Sequence, residues 1–468
     1  MIWDTLFSLD AQLAPHPQAA ERAEVSADER TWTITLRDGL VFHDNVPVLA
    51  RDAAASVKRW MQKDPIGQTI AAIAEDVKAV DDKRFQILLK QPFRTMLFSL
   101  ASRNIFVQPE RIAKTPATEQ FKEIIGSGPY RFLPDEFQAG AIAHYARWDK
   151  YVPRTEAPDL WSGGHVANFD RVEWTAQPDQ STAAAALRRG EVDWLEQPLL
   201  DLVPMLAKTP GLKTAAVDPF GALALLRFNH LQPPFNNPEI RRALLPGIDQ
   251  QAVVTAVVGD QAQFGHVPVG FFTVGGPMAN DAGLQALTSP RDPAEVRKRL
   301  AAAGYKGERI VMLAPSDLPA INAMSLVMQD QLTKLGLNID FQVTDWGTMI
   351  SRIAKRDPID QGGWNLFCVT WAGLTVSNPG SSYPLRANGL NANTGWPTDE
   401  KLEALRTQWL DTSDLAAQQA IARQIQEEAF VSLPFIPLGQ WSQPAAYSDK
   451  LTGIIPSPFT LFWNVKRT

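Results

Sequence analysis

Alternating apolar and polar positions in the first third of the chain predict strands mixed with helices. Residues Thr31–Leu36 alternate strictly, so their apolar side chains fall on one face of a strand. Residues 50–61 have the spacing of a helix with one apolar face. Two largely apolar segments, 77–80 and 85–89, flank the charged residues Asp81, Asp82 and Lys83, and this arrangement predicts a β-hairpin.

The middle of the chain contains a predicted helix, and after it the pattern of apolar and polar positions begins again. Residues 181–189 predict an alanine-rich helix that Ser181 caps and Gly190 ends. Near residue 217 the pattern begins again with an uninterrupted apolar run, Ala222–Leu226, which is typical of a strand covered on both faces. We therefore expect one mixed lobe before this point and a second lobe after it.

A regular alternation of strands and helices characterises the later part of the chain. A helix is predicted to begin at Asp292, with Pro293 in its first turn and Glu295 reaching back to the cap, and to stop at Gly304. The elements that follow are strand 310–314, helix 320–335, strand 339–343, helix 348–354 and strand 366–370. This alternation predicts βαβ units, an α/β fold class and a largely parallel sheet. A last helix, 415–430, leads to an aromatic carboxyl-terminal tail.

Composition and charge exclude several classes of protein. The 468 residues predict two or three domains, at roughly 100–200 residues each. The 45 basic and 51 acidic residues leave no basic stripe for nucleic acid. No apolar run reaches the roughly 18 residues that a membrane span requires, and the amino-terminal segment lacks the pattern of a signal peptide. We therefore expect neither nucleic-acid binding nor a membrane span.

Motifs of catalysis and cofactor binding are missing from the sequence. There is no GxSxG elbow, no phosphate loop ending in GK[ST] and no HExxH zinc motif. The six histidines are scattered, and the lone Cys368 lies in an apolar run typical of a small buried side chain. We therefore expect no enzyme, no metal site and no cofactor.

The loop after the strand at 366–370 is the candidate binding site. In open α/β sheets, ligands bind beyond the carboxyl ends of the strands. This loop offers an aromatic face, a glycine that permits close approach to the backbone, and small hydroxyl and amide groups. The predicted ligand-binding residues are Trp371, Ala372, Gly373, Leu374, Thr375, Ser377, Asn378, Tyr383 and Trp441. The alternative, that Trp371 is a core residue in an ordinary loop, remains equally open.

Four segments, in the same order along the chain, carry one family pattern. They are Trp32–Asp44 followed by Ala50-Arg51-Asp52, the turn Gly126-Ser127-Gly128-Pro129-Tyr130, the segment Leu187–Asp193, and Phe228-Asn229 with Asn237–Ala243. Together these motifs resemble the family 5 extracellular solute-binding proteins, the dipeptide, oligopeptide and nickel receptors of ABC importers. The resemblance extends from about residue 3 to the carboxyl terminus.

This resemblance implies a two-lobed periplasmic-binding-protein fold of type II, with three sub-domains. Lobe one would comprise 1–218 plus 445–468, divided into a small sub-domain (15–125) and a core (126–218 plus 445–468). Lobe two would be 222–440, and crossings near 219–221 and 441–444 would form a hinge that closes over the ligand. The implied protein is a monomeric periplasmic receptor that captures a small organic solute and delivers it to the permease and ATPase subunits of an importer.

Two departures from the family pattern concern the scaffold. Family members begin with a signal peptide and a first strand before the position of Trp3, and we expect both to be missing from this chain. Asn45 stands where the family has glycine. That change is mild, because Asn tolerates a left-handed backbone better than most residues.

A third departure concerns the ligand. In peptide-binding relatives the candidate loop reads W..D..DP, and its first aspartate pairs with the α-ammonium of the peptide. Here Leu374 stands in place of the first acid and Asn378, directly before Pro379, in place of the second, with one residue more between them than in the pattern. A buried ammonium without a partner costs on the order of several kcal/mol. The resemblance therefore implies a neutral or anionic, partly aromatic or amide-rich solute stacked on Trp371, unless another acid such as Asp345 replaces the missing one.

Two other classes of function remain as alternatives. The same fold serves as a sensor that presents its ligand to a membrane receptor, and the sequence does not separate the two roles. Neighbouring genes for a permease and an ATPase would favour import. An enzyme is the third class, and turnover of any ligand would favour it.

Overall fold

The computed structural model describes residues 1–102, 105–116, 119, 121–177 and 179–468. The chain divides into two units, and its carboxyl-terminal tail returns to the first of them. Unit 1 comprises Met1–Val217 and Pro444–Thr468, and unit 2 comprises Asp218–Gln443. The finer division of the first lobe at residue 125 stays a prediction.

Unit 1 consists of short strands and helices up to residue 217. Its strands are β1 (Phe7–Leu9), β2 (Pro15–Pro17), β3 (Ala20–Val25), β4 (Thr31–Leu36), β5 (Ala74–Ala79), β6 (Arg84–Leu89), β7 (Tyr130–Phe132), β8 (Ile142–Arg147), β9 (Arg171–Thr175), β10 (Trp194–Leu195) and β11 (Leu212–Ala215). Its helices are α1 (Ala50–Lys63), α2 (Pro65–Ile73), α3 (Met96–Ser102), α4 (Glu110–Ala113), α5 (Gln180–Arg189) and α6 (Val203–Ala207).

The predicted strand at 31–36 and the predicted hairpin after it are confirmed. Strand β4 lies between β3 and β6 in an antiparallel sheet of order β3-β4-β6-β5. Its side chains Trp32, Ile34 and Leu36 are all buried, as the alternation requires. A second antiparallel sheet has the order β7-β8-β9.

Helix α5 ends as predicted but begins differently. Gly190 terminates it in a left-handed conformation, which glycine adopts without steric cost. The prediction that Ser181 caps the helix is wrong, because Asp179 accepts a hydrogen bond from the backbone N–H of Thr182 at 2.6 Å. A carboxylate suits this position, since it also interacts favourably with the positive end of the helix dipole.

Unit 2 contains the longer elements of the chain. Its strands are β12 (Ala222–Phe228), β13 (Gly265–His266), β14 (Arg309–Pro315), β15 (Asn338–Thr344), β16 (Leu366–Ala372) and β17 (Phe435–Trp441). Its helices are α7 (Pro238–Ala243), α8 (Gln250–Val258), α9 (Gln285–Thr288), α10 (Pro293–Ala302), α11 (Pro319–Lys334), α12 (Trp346–Ile353), α13 (Glu400–Leu410) and α14 (Leu415–Ser432). No helix in the described part of the chain is long and apolar enough to cross a membrane.

After unit 2 the tail forms β18 (Ala445–Ser448), β19 (Leu451–Thr452) and β20 (Lys466–Arg467). Strand β18 lies between β10 and β11 and pairs antiparallel with both. Strands β19 and β20 pair with each other. The tail thus completes a sheet of unit 1 that the first part of the chain leaves without its central strand.

The prediction of a largely parallel sheet in unit 2 is wrong. The six strands have the order β13-β17-β12-β16-β14-β15, and only β14 pairs in parallel, with β15 and β16. The pairs β12–β16, β12–β17 and β13–β17 are antiparallel. An apolar run indicates that a strand is covered on both faces but carries no information about its direction. The sheet is mixed because β12 and β17, which come from distant parts of the chain, pair antiparallel with their neighbours.

The register of this mixed sheet brings several strand ends to one edge. Strands β14, β15, β16 and β17 all end there, and β12 begins there, since Ala222 pairs with both Ala372 and Trp441. We call this the carboxyl edge of unit 2. It positions the loop that follows β16.

The capping box predicted at the start of helix α10 forms only in part. Asp292 accepts hydrogen bonds from the backbone N–H groups of Ala294 and Glu295, both at 3.0 Å, which confirms the predicted N-cap. The predicted return of Glu295 to the cap is wrong, because its carboxylate accepts a hydrogen bond from Arg299 at 3.0 Å. A cation four residues further on is a favourable ion-pair partner on a helix.

Candidate functional site

Strand β16 carries the candidate loop to the carboxyl edge of unit 2. Trp371 pairs with Leu223 and Ala372 pairs with Ala222 in the last two positions of the strand. Trp371 is half-buried and Ala372 is exposed. A short 3₁₀ helix, Gly373–Val376, follows directly. The predicted segment therefore stands at the end of a strand, where ligands bind in sheets of this class.

Gly373 anchors the loop through its backbone. Its N–H donates to the carbonyl oxygen of Gly221 at 2.6 Å, and its carbonyl accepts from the hydroxyl of Thr273. A Cβ at this position would collide with the carbonyl oxygen of Phe220. The glycine is therefore required for a close approach between two backbone segments, and it is buried against this chain rather than presented to a ligand.

We predict that Gly373→Ala lowers the free energy of unfolding by about 1–3 kcal/mol, because the added methyl forces two backbone segments apart. Urea denaturation followed by circular dichroism measures this change. Gly347→Ala is the matched control, since a Cβ there meets only the flexible carboxylate of Asp345. An equal loss of stability in the two variants would contradict the prediction.

Trp371 and Tyr383 are brought together by the structure. Their ring centroids lie 6.0 Å apart with an angle of 46° between the ring planes, and both side chains are half-buried. Leu374 and Thr375 are also half-buried. The two rings form a partly exposed aromatic surface, which we call the Trp371–Tyr383 pair. A surface of this kind can stack against a planar or apolar group of a ligand.

Ser377 and Asn378, by contrast, are buried and bonded within their own loop. The Ser377 hydroxyl donates to the carbonyl oxygen of Leu374 at 2.8 Å. The Asn378 side-chain oxygen accepts from the backbone N–H of Ser381 at 2.9 Å, and its amide nitrogen lies 3.3 Å from the Ser377 hydroxyl. These side chains fix the shape of the loop and are not free to bond a ligand in this conformation.

Trp441 lies at the same edge but on the other face of the sheet. It pairs with Ala222, whereas Trp371 pairs with the next residue, Leu223. Adjacent strand residues point to opposite faces, so the two tryptophans cannot form one surface. Trp441 is only 4% exposed. The structure thus brings Trp371 and Tyr383 together in one accessible region, with the half-buried Leu374 and Thr375 following Trp371 in the loop, and leaves Trp441 outside it.

The segment that carries Trp371, Leu374, Thr375 and Tyr383 has no charged side chain of its own. The sequence contains no charged residue from Gln361 to Leu385. Asp345, the acid suggested as a substitute, follows β15 and caps helix α12 by accepting from the backbone N–H of Thr348 at 2.9 Å. Hydrogen bonds from Thr348 lower the pKa of Asp345, so this carboxylate is already engaged as a helix cap.

An acid that the sequence analysis missed lies just before β12. The carboxylate of Asp218 is half-buried and accepts from the backbone N–H of Phe220 at 2.9 Å, next to the backbone that Gly373 contacts. Burial raises the pKa of Asp218. Its only signal in the sequence is its place at the restart of the hydrophobic pattern near residue 217.

Unit 1 contains an aromatic cavity of about 300 Å³ that the sequence analysis also missed. Its walls include Trp3, Tyr145, Trp161, Trp174, Phe459 and Trp463. His165 stacks on Trp463 with ring centroids 4.2 Å apart, and burial lowers the pKa of this histidine to about 3. The residues that line the cavity include no Asp, Glu, Lys or Arg. The available signal was the density of aromatic residues in the carboxyl-terminal tail, which composition alone does not assign to a cavity.

The described residues offer no metal site. They contain no group of three or more His, Cys, Asp or Glu side chains able to hold an ion. Cys368 is buried in β16, as its apolar surroundings predicted, and burial raises the pKa of its thiol to about 12. A thiol of this kind is protonated at neutral pH and is a poor nucleophile.

One family model matches most of the chain, and curated relatives match over nearly its whole length. The model for "Bacterial extracellular solute-binding proteins, family 5 Middle" matches residues 14–393. A probable peptide ABC transporter periplasmic-binding protein of Sinorhizobium fredii is 40% identical over 468 residues, which are 100% of this chain and 88% of the relative. A glutathione-binding protein of Pectobacterium atrosepticum is 25% identical over 472 residues, with coverage of 98% and 86%.

Solved structures show the same fold at lower sequence identity. A dipeptide-binding protein of a Pseudoalteromonas species, in complex with Met-Leu, has a TM-score of 0.81 and 19% identity, and covers 100% of this chain and 94% of its own. The binding protein AgaA of A. tumefaciens, in complex with agropinic acid, has a TM-score of 0.77 and 22% identity, with coverage of 100% and 93%. These likenesses confirm the predicted α/β fold of the periplasmic binding proteins.

Proposed function

Because this chain belongs to the family 5 bacterial extracellular solute-binding proteins and is the substrate-binding receptor of an ABC importer, we propose that its solute is a small peptide-like molecule without a free ammonium group at the Trp371 loop. The Trp371–Tyr383 pair would stack against this solute. Backbone groups and the Thr375 hydroxyl would supply hydrogen bonds. The observation that carries the proposal is the uncharged, partly exposed aromatic surface at the carboxyl edge of unit 2.

Leu374 is the residue on which the ligand class depends. It is half-buried between Gly373 and Thr375, in a stretch with no charged residue. An ammonium held there would lose water without gaining a carboxylate, and such an unpaired charge is costly. A solute whose amino group is acylated or otherwise neutral avoids this cost, and so does an anionic solute without an ammonium group. The relatives described as peptide-binding and glutathione-binding support a peptide-like solute.

The first test is to identify the solute that co-purifies with the protein. Mass spectrometry of small molecules released by denaturation names the compound, and isothermal titration of the stripped protein measures its affinity. The matched probes are one dipeptide with a free amino terminus and the same dipeptide N-acetylated. Tighter binding of the acetylated form supports the proposal.

We predict that Leu374→Asp increases the affinity for the free-amino dipeptide at least about tenfold, because a hydrogen bond to a charged group contributes about 1.5–3 kcal/mol. The affinity for the N-acetylated dipeptide should not increase. Titration of both probes against the wild type and the variant measures the effect. Leu374→Asn is the control, since asparagine has nearly the same shape as aspartate but carries no charge.

The opposite result is equally informative about this loop. Micromolar binding of the free-amino dipeptide by the wild-type protein would contradict the proposed ligand class. The acid that then pairs with the ammonium would lie elsewhere, and Asp218→Asn would be the variant to examine, because Asp218 is the half-buried carboxylate near Gly373.

The remaining features of the receptor are also part of the proposal. We place the protein in the periplasm, as a monomer that hands its solute unchanged to the permease and ATPase subunits. Membership of the family and the name of the 40% identical relative support the location and these partners. Size-exclusion chromatography with light scattering tests the monomer. Recovery of the bound solute without chemical change tests the absence of turnover.

A further inference from the structure

Two buried arginines hold the segment that carries Tyr383. Arg406, on α13, is 5% exposed and donates two hydrogen bonds to the carbonyl oxygen of Pro379, at 3.1 and 2.9 Å. Arg227, on β12, is 1% exposed and donates to the carbonyl oxygen of Pro384 at 2.5 Å. The two carbonyl groups lie at either end of the stretch that contains Tyr383.

In the described part of the chain, the hydrogen bonds of Arg227 all go to backbone carbonyl oxygens. Besides Pro384, it donates to the carbonyl oxygens of Thr394 at 2.6 Å, Pro434 at 3.3 Å and Asn393 at 3.4 Å. Burial lowers the pKa of Arg227 to about 9, which still leaves it charged at neutral pH. A buried cation without a carboxylate is a poor means of stabilising a fold, because its desolvation opposes the gain. Its bonds instead fix where several chain segments lie.

Arg406 is held from the other side by an acid. Its guanidinium donates to both carboxylate oxygens of Glu403, each at 3.0 Å, one turn earlier on α13. Glu403 in turn accepts from the backbone N–H of Ala387 at 2.7 Å and from the side chain of Arg386 at 3.3 Å. Helix α13 is therefore connected to the backbone on both sides of Tyr383, at residues 379 and 387.

We infer that Arg227 and Arg406 are positioning residues that set the Tyr383 ring against Trp371, although neither is expected to touch the ligand. The planar guanidinium suits this role, since its several N–H groups leave it in fixed directions. The consequence of this inference for ligand binding rests on the proposed function. Its geometric content, the position of one ring relative to the other, is independent of any ligand.

The test is fluorine NMR of the whole protein labelled with 5-fluorotryptophan, in the absence of added ligand. Trp371→Phe identifies the Trp371 resonance by its disappearance. Trp409→Phe identifies the Trp409 resonance in the same way, and Trp409 lies on the same helix as Arg406. We expect Arg406→Lys and, separately, Arg227→Lys to shift or broaden the Trp371 resonance. Lysine keeps the charge but loses the fork that holds the carbonyl oxygen.

Arg423→Lys is the matched control, because Arg423 lies on the neighbouring helix α14 and its side chain is 52% exposed. It should leave the Trp371 resonance in place. An unchanged Trp371 resonance in both Arg227→Lys and Arg406→Lys would overturn the inference, as would an equal shift of the resonances of unit 1 and unit 2. Should one of the two variants not fold, the other decides. The proposed function is tested separately by solute affinity, so either one can fail without the other.

Discussion

Replacement of Trp371 by alanine is expected to weaken binding of the co-purifying solute about 30-fold, since an aromatic anchor of a binding site contributes ~2 kcal/mol or more. The ring is half-buried, so it is fixed by the protein on one side and free to meet a ligand on the other. Its partner ring, Tyr383, holds it from one direction at 6.0 Å. Loss of the indole removes the larger part of this surface.

Isothermal titration with the solute identified by mass spectrometry measures the effect. Trp371→Phe should give an intermediate affinity because a smaller ring remains, and Tyr383→Phe should bind nearly as well as the wild type because its ring is kept. Phe137→Ala serves as the control, since Phe137 is 50% exposed and belongs to unit 1. Unchanged affinity in Trp371→Ala would show that the solute binds elsewhere, and the aromatic cavity of unit 1 would be examined next.

The largest effect on stability is expected from Trp364→Ala, which should lower the free energy of unfolding by about 3–5 kcal/mol. Trp364 is fully buried in a cluster of unit 2 that includes Val311, Met349 and Phe367. Its ring meets Phe367 edge-on at 5.0 Å. Truncation to alanine leaves a cavity beneath β16, the strand that carries Trp371, and surrounding side chains fill such a space only in part.

Hydrogen exchange measured by mass spectrometry separates this effect by unit. Peptides from unit 2 should lose protection in Trp364→Ala, while those from β3, β4 and β6 in unit 1 should keep it. Leu390→Ala is the control, because Leu390 is 56% exposed and its truncation should change stability by less than about 0.5 kcal/mol. A loss below about 1 kcal/mol in Trp364→Ala would mean that the cluster collapses to fill the space.

The candidate site was only partly predictable from the sequence. The rule that ligands bind beyond strand ends directed attention to Trp371 and its loop, and the structure does place this loop at the carboxyl edge of unit 2. The pairing of Trp371 with Tyr383 depends on the path of the chain between them. That path is held by Arg227 and Arg406, which come from β12 and α13 and have no local signal in the sequence.

What the sequence by itself determined is the set of features that depend on near neighbours along the chain. The alternation in Thr31–Leu36 specified a strand and its buried face, Gly190 specified the end of a helix, and Asp292 specified the start of another. Each of these follows from side-chain direction, backbone freedom or a hydrogen bond within one turn. The fold class and the receptor function were predicted from the family motifs, each of which is also a short segment of the chain.

Only the tertiary structure decided which distant segments meet and on which face. Pairings between residues far apart in the chain decide the direction of β12 and β17. Such long-range contacts also put Trp441 and Trp371 on opposite faces of the sheet and bury Ser377 and Asn378. A one-residue difference in register moves a side chain from one face of a sheet to the other. Periodicity gives the spacing of side chains within a strand, but the register between strands is set by the packing of the whole unit.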